Sequence, residues 1–77
     1  MGVQIIVDAS PEIVSRALGK FAEYCEIFPM GQNRSGLSIP TKVCGEQNEE
    51  WLRERLLGLT YYDLYAGKWI TSSESEP

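Results

Sequence analysis

The sequence predicts a small α+β domain with two main helices, a short third helix and a minor β-sheet or strand pair. Three observations carry this. Val3-Gln4-Ile5-Ile6-Val7 is rich in β-branched residues and closes at Asp8, which reads as a strand. Ile13, Val14, Ala17, Leu18, Phe21, Ala22 and Cys25 recur at spacings of three and four, the apolar stripe of an amphipathic helix. Leu52, Leu56 and Leu59 repeat that spacing further along the chain, with Trp51 beside them.

The first helix has a well-formed start. Ser10 is placed to accept a hydrogen bond from a first-turn N–H, Pro11 suits the first helical position, and Glu12 suits the positive end of the helix dipole. Glu12, Arg16, Lys20 and Glu23 fall on the opposite face, and Pro29 and Gly31 stop the helix near Glu26 or Ile27. Pro29, Gly31, Gly36, Pro40 and Gly45 break up residues 29–45, so this stretch reads as loop, with a short extended piece at Leu37–Ile39 or Lys42–Cys44. Glu46–Gly58 reads as the second helix, capped by Asn48, with Glu49 and Glu50 in its first turn. Thr60-Tyr61-Tyr62-Asp63 comes close to a capping box and predicts a short third helix reaching Ala66. Trp69–Thr71 is extended and offers a pairing partner for Val3–Val7. Residues 1–71 thus form one domain, and 72–77 are a polar tail expected to be disordered.

Composition excludes several chemistries. The 77 residues carry 7 basic and 11 acidic side chains, a net charge of −4, and no histidine. An acidic chain disfavours the nucleic-acid backbone as a direct partner. Without histidine there is no Ser-His-Asp or Cys-His catalysis and no imidazole metal site. Cys25 and Cys44 form no CxxC motif and fall short of a tetrahedral zinc site. No apolar run approaches the ~20 residues of a membrane span, and Met1–Asp8 lacks the basic stretch of a signal peptide. A cytoplasmic protein with free thiols, no cofactor and no metal is the expectation.

Gly31-Gln32-Asn33-Arg34-Ser35-Gly36-Leu37-Ser38 has the spacing of a phosphate-binding loop, but Leu37 stands where that loop needs lysine. A surface loop is the better reading. The candidate surface lies elsewhere. Glu49, Glu50 and Glu54 concentrate negative charge on the second helix. Tyr62, Asp63 and Trp69 follow in a segment holding five of the eight aromatic residues, Trp51, Tyr61, Tyr62, Tyr65 and Trp69. Exposed Tyr and Trp are enriched at binding hot spots, and charge steers encounter. The expected function is therefore a non-enzymatic protein-binding module, a small acidic inhibitor or adaptor that occupies a basic surface of a larger protein. Its size suits the small proteins that phages and mobile elements encode against host proteins. The alternative is a structural subunit of a homo-oligomeric assembly, with homodimerisation left open by the unpaired strand Val3–Val7. A nucleic-acid binder would require Arg16, Lys20, Arg34, Lys42 and Lys68 to converge on one face.

Overall fold

A computed structural model of the chain describes residues 2–46, 48–64 and 66–71. The expected tail at 72–77, and Tyr65, lie outside the described residues. Five strands form one antiparallel sheet: β1 (Val3–Val7), β2 (Glu26–Pro29), β3 (Ser35–Ile39), β4 (Thr60–Asp63) and β5 (Lys68–Thr71), in the spatial order β2-β3-β1-β4-β5. Three α-helices occur among the described residues: α1 (Pro11–Leu18), α2 (Thr41–Cys44) and α3 (Asn48–Arg55). The chain thus builds two split β-α-β units. In the first, β3 lies between β1 and β2; in the second, β1 lies between β3 and β4.

All the helical residues that reach the interior do so from one side of the sheet. Strand residues point alternately to opposite faces, and Val3, Ile5 and Val7 of β1 join Leu37 and Ile39 of β3 and Tyr61 of β4 in a single buried cluster. Val14 and Leu18 of α1, Cys44 of α2, Leu52 of α3 and Leu56 just beyond it close that cluster. Burial of each such aliphatic side chain contributes about 1.5–3 kcal/mol. Among the described residues Ser35 is the buried polar exception, and its Oγ donates to the carbonyl oxygen of Ala9 at 2.7 Å, so the hydroxyl is buried without losing a hydrogen bond.

The strand at Val3–Val7 and the start of α1 agree with the sequence reading; Ser10 Oγ accepts from the Ile13 N–H at 3.5 Å. The balance of helix and sheet does not. This is a sheet-dominated fold of five strands with three short helices, and the expectation of two main helices with a minor strand pair is corrected at four places. Gly19, with φ +61°, ends α1 at Leu18, and the apolar stripe continues through a 3-10 helix over Gly19–Tyr24. Glu26–Pro29 is a strand rather than a helix end. The supposed loop contributes β2's last residue, all of β3 and α2; Pro40 sits just past β3, where its missing N–H breaks no ladder. Thr60–Asp63 is a strand and not a third helix: Thr and Tyr favour the extended backbone, and Gly58 at φ +84° turns the chain out of α3. Consequently Trp69–Thr71 pairs with β4, while β1 has β3 and β4 as its neighbours.

Candidate protein-binding face

With the helices all on one side, the other side of the sheet has no covering layer among the described residues. Its composition follows from strand register. Residues directly opposite one another in antiparallel strands share a face. Phe28 pairs with Gly36, Gly36 with Ile6, Ile6 with Tyr62, and Tyr62 with Trp69. One row of side chains therefore crosses all five strands on the bare face, with Ile6 at its centre.

The two halves of the row are built differently. On β2 and β3 the ring of Phe28 lies across Gly36, where an added methyl group would run into it. One ring fills two positions. On β4 and β5 the rings of Tyr62 and Trp69 meet edge to face, 5.3 Å between centroids and 66° between planes. The Arg34 guanidinium lies 4.9 Å from the Trp69 ring centroid, and its Nε donates to Asp8 Oδ1 at 3.3 Å. Phe28 is 48% exposed and Trp69 44%, with Met30 and Leu64 as exposed as they are. Asp8 and Arg34 neutralise each other and are half exposed, so the pair adds little energy and no net charge.

The six residues singled out from sequence fall on different surfaces. Tyr62 and Trp69 come together on the bare face. Glu49, Glu50 and Glu54 are solvent-exposed on α3 in the helical layer. Asp63 lies opposite Ile5 and Lys68, on the helix side of the sheet, and its Oδ1 accepts from the Ala66 N–H at 3.2 Å in the turn between β4 and β5. Phe28 and Ile6 were not singled out as contact residues in the sequence, and Arg34 was named only for a nucleic-acid surface and within the phosphate-loop spacing. A hairpin signal places Phe28 and Arg34, though not Ile6: two short runs around Ile27-Phe28 and Leu37–Ile39, separated by a glycine-containing turn. The Met30 N–H donating to the Arg34 carbonyl at 2.9 Å closes that turn. The phosphate-loop spacing at Gly31–Ser38 is thus a hairpin turn running into β3.

The helical layer carries open grooves, one lined by Glu46, Asn48, Glu49 and Glu50 and another by Phe21, Tyr24, Lys42 and Val43. Among the described residues no three acidic or cysteine side chains converge to hold a metal ion. Cys25 and Cys44 are free thiols. Burial raises the pKa of both, with Cys44 adding to the effect at Cys25, so neither is primed as a thiolate nucleophile. Tyr61 is pushed up by burial first and then by Asp63 and Glu49, against the pull of Arg53. No helix among the described residues is long and apolar enough to cross a membrane. Comparison with protein-family models, with curated proteins and with solved structures finds no match.

Proposed function

We propose that this chain is a non-enzymatic protein-binding module of the inhibitor or adaptor kind, working in a reducing cytoplasm, and that the bare face of its sheet is the contact surface. One observation carries the reading: the row Phe28–Gly36–Ile6–Tyr62–Trp69 is apolar across the whole sheet and has no layer over it among the described residues. Aromatic residues with few charges around them are the composition of an interface centre. A nucleic-acid surface would need several cations tracking a phosphate backbone, and here the one arginine on the row's flank is held by Asp8. The acidic side chains of α3 remain in solvent on the other layer, where, with the net charge of −4, they favour approach to a basic protein.

The test is capture from an extract of the source cell by the immobilised chain, read by mass spectrometry. The double variant Phe28→Ser with Trp69→Ser should lose the proteins that the parent retains, while its circular dichroism is unchanged. Glu49→Lys with Glu50→Lys should slow capture without abolishing it. An unchanged set of captured proteins on the Phe28/Trp69 variant rules out this face.

A further inference from the structure

We infer that the groove between the 3-10 helix Gly19–Tyr24 and α2 binds an acidic peptide segment. One apolar side chain of that segment seats against Phe21, Tyr24 and Val43 while its carboxylates meet Lys20, Lys42 and Arg55. The site belongs to the helical layer and is independent of the bare face of the sheet.

Charge complementarity selects the occupant. The chain has 7 basic and 11 acidic residues, yet cations gather at this groove. Lys42 lines it, and Lys20 Nζ and the Arg55 guanidinium stand 5.5 and 4.9 Å from the centroid of the Phe21 ring. Among the described residues no acid lines the groove. None of the three cations forms an ion pair there, whereas Arg16 and Arg34 are held by Glu12 and Asp8. The acids nearest in the chain are placed otherwise. Glu23 lines a neighbouring groove that shares Lys20, Glu54 is exposed on α3, and Glu46 lines the acidic groove with Asn48, Glu49 and Glu50.

The form of the groove narrows the ligand further. Its space of about 340 Å³ matches the smaller ligand pockets, and its lining is aromatic and aliphatic apart from Lys42. Tyr24, at 58%, is the most exposed large apolar side chain among the described residues. Phe21 is half-buried, with Trp51 edge-on to it. Arg55 rests over both rings, 5.9 Å from that of Trp51, so its position is set before a ligand arrives. Most of its five N–H donors remain for oxygen. An apolar floor ringed by cations suits an apolar side chain flanked by carboxylates. The groove is open outward, so a ligand keeps one side in solvent, as a peptide does and a small molecule in an enclosing pocket does not.

Nucleic acid fits less well. Lys20 and Lys42 come together, but Arg34 is on the bare face of the sheet, Arg16 is tied to Glu12, and Lys68 is on β5. Three cations make a short track for a phosphate backbone, and a long polyanion would also face the net charge of −4.

The test is an NMR titration of the isotope-labelled full chain with a capped peptide of one phenylalanine between two pairs of glutamates. Shifts at Phe21, Tyr24 and Val43 should saturate with a Kd below about 1 mM in about 50 mM salt. Glutamine in place of the glutamates, or glycine in place of the phenylalanine, should each weaken binding at least about 5-fold. So should Lys42→Glu, a change at an exposed position outside the core, and Arg55→Gln serves if that variant fails to fold. Lys68→Glu makes the same change of charge on β5 and should weaken binding less than about 2-fold. An effect as large as that of Lys42→Glu would reduce the attraction to net charge and overturn the inference. No saturation by about 5 mM overturns it; so does binding indifferent to the glutamine or glycine peptide, or shifts centred on Ile6 and Trp69. An oligothymidine of equal charge that binds the same groove more tightly than the peptide overturns it in favour of nucleic acid. Phe28→Ser with Trp69→Ser should leave the peptide's affinity unchanged. Loss of captured proteins on that variant and loss of peptide binding on Lys42→Glu thus report on separate surfaces.

Discussion

Leu18 on α1 and Leu37 on β3 are each 1% exposed, and they approach the core from its two sides. Truncating either to alanine should cost about 2–5 kcal/mol, a large share of the roughly 4–12 kcal/mol available to a domain of this length; urea melts will show it as a shifted midpoint. Phe21 belongs to the same apolar stripe but is only half-buried. Its ring lies edge-on to Trp51, 5.6 Å between centroids, with Lys20 and Arg55 over its face. Phe21→Ala should therefore cost less than Leu18→Ala, a distinction that residue spacing alone does not make. Tyr61 supplies a pH dependence. Burial raises its pKa, so the folded chain holds the phenolic proton more tightly than the unfolded chain does. The stability linked to that proton is fully present below about pH 10, the ordinary tyrosine value, and is lost as pH rises through the raised one. Tyr61→Phe should flatten the loss of stability above about pH 10 relative to the parent, measured as urea midpoints across that range.

At the scale of elements, β3 depends on a glycine. A side chain at position 36 would collide with Phe28, so Gly36→Ala should destabilise by about 1–3 kcal/mol. The double variant Gly36→Ala with Phe28→Ala should recover part of that loss, and a thermodynamic cycle of the four proteins measures the coupling. The same glycine explains why β3 was hard to read. Ser35-Gly36-Leu37-Ser38-Ile39 has a strand's alternation, but with glycine at one position and proline next in the chain the local signals spell loop. The start of α1 was legible because Ser10, Pro11 and the apolar stripe all agree. Its end was not, because the stripe runs on to Cys25 through a 3-10 helix, a winding whose period is too near that of an α-helix to separate by eye. Thr60–Asp63 failed for a different reason. A threonine three residues before an acid matches a helix cap, and only the pairing with β1 and β5 decides for a strand.

For the whole molecule, the candidate site was half legible. Tyr62 and Trp69 stood out because large aromatics were too many for a small core; Ile6 and Phe28 join them only through strand register, which no stretch of sequence displays. The separation of layers has a testable result. Reversing Glu49, Glu50 and Glu54 to lysine should lower the melting temperature by no more than about 10 °C without loss of cooperativity, since exposed charges away from the core change stability by about 0.5 kcal/mol or less each, and differential scanning calorimetry will register it. The position of β1 matters beyond the contact face. Its two neighbours are distant in sequence, Val7 meeting Ser35 on one side and Tyr61 on the other. Each pairing closes a long stretch of chain before it returns any energy. The hairpins β2–β3 and β4–β5 can zip locally, but they join only when β1 slots between them. Folding should accordingly be slow for a chain this short. Substitutions in β1 should retard folding more than those in β5, and until that insertion occurs two strand edges stand open to other chains.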